Sequence, residues 1–103
     1  MTEIIEEITN LFARNSIPVF AIAKAASLEN EPLGYKPSDM LKPAESIVSF
    51  GIPVPKGIFK CQEKSEWMYW RAANIYYRNI DAILMQVARI IEEKGEIAVP
   101  VYG

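Results

Sequence analysis

The longest uninterrupted pattern in the chain sets the terms for everything around it. Between Ser65 and Lys94 the apolar residues Trp70, Ala73, Tyr77, Ile80, Leu84, Val87 and Ile91 recur at steps of three and four, the period of an amphipathic helix. Gly95 stands where a left-handed residue would end such a helix. Thirty residues of straight helix span about 45 Å, more than the width of a small domain. A chain of 103 residues must arrange the rest of itself along that length. It has to bend the helix near Asn74 or Asn79, or leave one end projecting.

The other elements are shorter. Ile4, Ile8, Leu11 and Phe12 have helical spacing, so a helix is expected over residues 3–14. Thr2 is placed to cap it, and Glu3, Glu6 and Glu7 lie at its positive dipole end. Pro18 biases Ile17 away from helical geometry and closes it. Val19 to Ala23 is an all-apolar strand candidate, and Ser46 to Ile52 is the strongest strand, ended by Pro53 and Pro55. Residues 25–45 connect the two, with one helical turn expected at Ser38–Leu41. A last strand is expected at Ile97–Tyr102, with Pro100 denying it one ladder hydrogen bond. A strand, a long helix and a strand in succession favour parallel neighbours. The expected fold is therefore α/β: a small, mainly parallel sheet of about three strands, with a long crossover helix and an N-terminal helix. Residues 1–103 read as a single domain, the N-terminal part of a larger one.

Composition excludes several functions. Charged residues make up 23% of the chain and the net charge is −2, without the basic surplus that nucleic-acid binding calls for. Lys56, Lys60 and Lys64, interrupted by Glu63, read as a solvated loop. No apolar run approaches the roughly 18 residues of a membrane span, and the acidic N-terminus is unlike a signal peptide. A cytoplasmic protein without a nucleic-acid or membrane partner is expected. There is no histidine, so neither a Ser-His-Asp triad nor a histidine-ligated metal site can be assembled from this sequence. Cys61 is the one cysteine. It can form no internal disulfide or CxxC pair, and without a histidine to act as base it reads as an inert thiol. The glycine-rich loops that cradle nucleotide phosphates are also missing. Glu6/Glu7 and Glu92/Glu93 are adjacent on their helices, diverge by about 100°, and read as solvated surface. No catalytic or metal-binding residue is assigned.

The feature that points outward is aromatic. Trp67, Tyr69, Trp70, Tyr76 and Tyr77 crowd into eleven residues and cannot all face one core. Trp70 and Tyr77 are expected to pack inward. Trp67 and Tyr69 are the candidates for an interface, where tryptophan and tyrosine are enriched. Ile97, Val99, Val101 and Tyr102 join them, because the last strand offers an edge almost without charge, and such an edge is a template for pairing.

One stretch is more specific. Leu33-Gly34-Tyr35-Lys36-Pro37-Ser38-Asp39-Met40-Leu41-Lys42-Pro43-Ala44-Glu45-Ser46-Ile47-Val48-Ser49-Phe50-Gly51-Ile52-Pro53 resembles the G-x-[RK]-P-x-D-x-L-x-x-A-x-S-[IV]-[IV] segment near the N-terminus of epoxyqueuosine reductase and its archaeal iron–sulfur relatives, which are akin to reductive dehalogenases. Ile17–Lys24, Tyr76–Gly95 and Ala98–Val101 are similar to further stretches of that family, in the same order. The resemblance implies an α/β domain that helps to hold a cobalamin. It also implies a cysteine-rich domain further on that carries two four-iron clusters. The family's cluster ligands and proton donor match no position here, so cobalamin and [4Fe–4S] clusters are implied only for the longer proteins.

Two functions are therefore expected. In the first, the chain is the N-terminal piece of an iron–sulfur, cobalamin-type reductase and is inactive by itself. In the second, it is a non-catalytic α/β module that self-associates, or completes its sheet with a partner subunit.

Overall fold

A computed structural model describes residues 2–32, 34–41 and 44–101. They form two compact units, one of residues 2–18 with 52–101 and the other Val19–Gly51.

The first unit is a helix packed on a helix. Helix α1 spans Thr2–Arg14 and buries Ile4, Ile8, Leu11 and Phe12, the four positions that its spacing places on one face. It ends in a Schellman turn. Ser16 takes a left-handed φ of 55°, its N–H donates to the Ala13 carbonyl at 3.2 Å, and the Ile17 N–H donates to the Phe12 carbonyl at 2.9 Å. The stop thus comes from Ser16 itself, a residue before the proline restriction acts. Buried Ile17 then closes over the end of the helix.

The long helix of this unit, Ser65–Glu93, is unbroken. Gly95 follows it with a φ of 87°, and the Gly95 N–H donates to the Glu92 carbonyl at 3.1 Å. Ile83 and Val87 are its buried residues, and α1 packs against it. Lys94 ties the two helices together, bonding Glu7 at 3.2 Å and Glu3 at 3.5 Å. The start of α1 therefore lies at the end of the long helix, and the pair runs antiparallel. With 13 residues against 29, α1 covers only the C-terminal half of its partner. The N-terminal half meets two 3₁₀ turns, Lys56–Lys60 and Gln62–Lys64.

The second unit is a two-stranded ribbon. Strand β1 (Val19–Lys24) pairs with β2 (Ser46–Gly51), Val19 opposite Gly51 and Lys24 opposite Ser46. The Ala25 N–H extends the ladder by donating to the Glu45 carbonyl at 2.9 Å. A helical turn, α2 (Pro37–Met40), lies in the connection; the long helix is hereafter α3. One Asp39 carboxylate oxygen accepts from the Gly34 N–H at 2.7 Å and the Lys36 N–H at 3.0 Å. Gly34 sits at a φ of 93°, which a glycine tolerates without cost. The G-x-K-P-x-D spacing is thus a self-contained lock on the backbone.

The sheet corrects the expected fold. It has two strands among the described residues, and they are antiparallel. Parallel pairing needed the last strand, and Glu96–Val101 form no regular element. The Ala98 N–H goes to a Glu92 carboxylate oxygen at 3.3 Å instead of to a strand, and Pro100 has no N–H to offer. Without that strand, α3 is not a crossover. β1 and β2 are joined without a long helix between them, so β2 returns directly beside β1, as antiparallel pairing allows.

Two outcomes are expected from this packing. Phe12 is fully buried, so Phe12→Ala should lower stability by about 3–5 kcal/mol, read as a shift in the urea midpoint of helical circular dichroism. The Lys94 ammonium is held above its ordinary pKa of 10.5, first by its hydrogen bond to Glu7, then by the charges of Glu7 and Glu3. A raised folded value means that its contribution is complete below the unfolded value and fades as pH rises through the folded one. The stability difference between wild type and Lys94→Met should therefore be constant from neutral pH up to about pH 10 and shrink above it. A difference that vanished near neutrality would contradict this origin.

Candidate interaction surface

The aromatic residues of α3 are mostly outside. Trp67 and Trp70 are each 59% exposed and Tyr77 is 55% exposed, whereas Ile83 and Val87 retain 6% and 4%. The expectation that Trp70 and Tyr77 pack inward is overturned. The covered face passes instead through half-buried Tyr76 and Ile80 to Ile83 and Val87. The reason is geometric. α1 brings a single apolar stripe, which can cover only one stripe of α3, and it reaches only the C-terminal half.

The two interface candidates on α3 behave differently. Tyr69 leans on Phe59 of the preceding 3₁₀ turn, ring centroids 5.9 Å apart and planes tilted by 40°. It still leaves nearly half of its surface in solvent. Trp67 carries the Arg71 guanidinium over its ring at 5.9 Å, a cation–π contact one helical turn away. Exposed Phe59 was not among the residues singled out from sequence. The mixed lysine and apolar run at 56–60 gives no period that would have found it.

The terminal candidates are exposed but do not form an edge. Ile97, Val99 and Val101 lie in irregular backbone, and Tyr102 falls outside the described residues. The edges that do exist belong to β1 and β2. Each strand has one hydrogen-bonded neighbour among the described residues, so each keeps an outer edge. Across the ribbon Phe20 stands opposite Phe50 and Ile22 opposite Val48.

Two open grooves lie in the first unit. One, of about 420 Å³, runs between the last turns of α3 and residues 98–100. Its charged groups are already engaged, Arg89 with Glu93 at 3.0 Å and Glu92 with the Ala98 N–H. The other, of about 310 Å³, brings together the carboxamides of Asn15, Asn79 and Gln86 beside Ile52 and Ile83. Asn15 spends its amide N–H on the Leu11 carbonyl at 2.9 Å, and none of the groove's lining residues titrates. A corrinoid exceeds the drug-sized ligands that pockets of roughly 300–1,000 Å³ hold, so neither groove encloses one. Cys61, exposed and donating its thiol to the Gly57 carbonyl at 3.5 Å, cannot supply the four thiolates of an iron–sulfur cluster.

No family model, curated protein or solved structure matches the chain. Among the described residues, no helix is long and apolar enough to cross a membrane.

The exposure of the aromatic residues gives a direct check. Trp67→Ala and Trp70→Ala should each change stability by no more than about 0.5 kcal/mol, as surface substitutions do. Ile83→Ala should cost about 2–5 kcal/mol. Equal shifts of the urea midpoint in all three variants would mean that the tryptophans belong to the core.

Proposed function

We propose that this chain is a non-catalytic scaffold module whose ribbon is completed by a strand from further protein. One observation carries the reading: a two-stranded ribbon in which, among the described residues, each strand has no hydrogen-bonded neighbour on its outer side and little to protect that edge. Strands β1 and β2, VFAIAK and SIVSFG, contain one charged residue and no proline. Such devices are how edge strands ordinarily avoid pairing. Two strands without a third are marginal by themselves. An incoming strand would satisfy one row of N–H and C=O groups and cover apolar side chains, Val19 being 61% exposed. This is recognition by strand addition, in which the main chain supplies affinity.

A second reading names that further protein. The segment that resembles the epoxyqueuosine reductase group is the one whose Gly34, Lys36 and Asp39 form the backbone lock beside β2. On this reading the chain is the scaffold part of an iron–sulfur reductase. The cluster ligands, the proton donor and the completing strand come from elsewhere.

The ribbon reading predicts that Ile22→Pro, which removes a ladder donor and stiffens β1, abolishes capture of the completing protein from native cells while the helical signal of the first unit persists. Undiminished capture would overturn it. The second reading is checked by the intact mass of the native protein. A mass well above 11.6 kDa, together with bound iron, supports it; a mass of 11.6 kDa overturns it and leaves the free-standing module.

A further inference from the structure

We infer that α3 is also a self-association surface, pairing antiparallel with α3 of a second copy of this chain. This concerns a different surface from the ribbon and does not depend on it. On the side of α3 roughly opposite Ile83 and Val87, Trp67, Trp70, Asn74, Tyr77, Asp81 and Met85 follow one another at steps of three or four. That spacing is the repeat by which two helices bury a common seam. Here the seam is in solvent: Trp67, Trp70, Tyr77 and Met85 are each more than half exposed. Two tryptophans, a tyrosine and a methionine in one line are the residue types enriched where protein surfaces meet.

The charges beside the seam choose the occupant and its direction. Arg71 and Arg78, with Glu66, lie in the N-terminal half of α3, and Asp81, Glu92 and Glu93, with Arg89, in the C-terminal half, so the two halves differ in net sign. A parallel partner would set Arg71 against Arg71 and Asp81 against Asp81. An antiparallel copy, with its two-fold axis between residues 79 and 80, sets Arg78 level with the partner copy's acidic position 81. The symmetry makes that contact twice. The polarity continues beyond the seam. Lys60 and Lys64, with Glu63 between them, precede one end of α3, and Glu3 and Glu7, two carboxylates on the one ammonium of Lys94, gather at the other. Antiparallel association brings the basic end of each copy to the acidic end of the other.

The size is sufficient. At 1.5 Å per residue α3 is about 43 Å long, and two strips about 15 Å wide along it bury on the order of 1,300 Å² in total, within the range of specific interfaces.

The test is sedimentation velocity of the full chain from low to high micromolar concentration. Wild type should form a dimer in that range. Arg78→Asp and Asp81→Arg should each weaken dimerisation about tenfold or more, because like charges then face each other twice. The combined exchange, Arg78→Asp with Asp81→Arg, should recover wild-type association to within about threefold, since the pairing is restored with its signs reversed. Circular dichroism should show the same helical content throughout. A monomer at high micromolar concentration overturns the inference, and so do single variants that dimerise normally or a combined exchange that stays weak. The Ile22→Pro ribbon variant should dimerise like wild type. If it alone loses association, the ribbon is the contact and the α3 seam is not.

Discussion

The first unit depends on one contact, the apolar face of α1 laid against the C-terminal half of α3. Ile8, Leu11 and Phe12 are the most fully buried large side chains among the described residues, and Ile83 and Val87 are the buried residues of α3, on which α1 packs. A helix of 13 residues is marginal alone in water and gains its stability from such packing. The Schellman turn at Ser16 and the Lys94 contacts to Glu3 and Glu7 set the two ends of this helix pair. They orient it more than they stabilise it, because exposed ion pairs contribute little.

Much of what faces solvent follows from the shortness of α1. A 29-residue helix offers apolar residues on more than one side, and a 13-residue partner can cover one stripe over less than half the length. The tryptophans of α3, Tyr77 and Met85 remain outside for that reason, with Arg71 and Arg78 among them. The ribbon is under-covered in the same physical sense, since two strands have too few neighbours to bury both their faces. On the proposed reading, this apolar area is where the module meets other protein.

The helices and the local turns were legible in the sequence. Expected helix ends at Arg14 and Lys94 agree with observed ends at Arg14 and Glu93, and Gly95 takes the left-handed geometry expected of it. The bend and helical turn around Gly34–Leu41 also form as expected, locked by Asp39. The strand positions at residues 19 and 46 hold as well. What failed was every step that needed long-range information. The strand at Ile97–Tyr102 was read from apolar alternation, yet its backbone found a glutamate side chain instead of a neighbouring strand. The parallel sheet fell with it. Among the interface candidates Trp67 and Tyr69 are exposed on α3, but Ile97, Val99 and Val101 have no edge to present.

The sequence by itself determined where the chain coils and where it extends, because period, capping residues, proline and glycine act within a few residues of themselves. It also fixed that the sequence carries no histidine and one cysteine, since composition requires no fold. Only the tertiary structure decided which stripe of α3 is covered, which way β1 and β2 run, and which apolar residues remain outside. Those outcomes depend on how far α1 reaches along α3 and on whether a third strand exists to pair. Neither quantity is written in the spacing of any one segment.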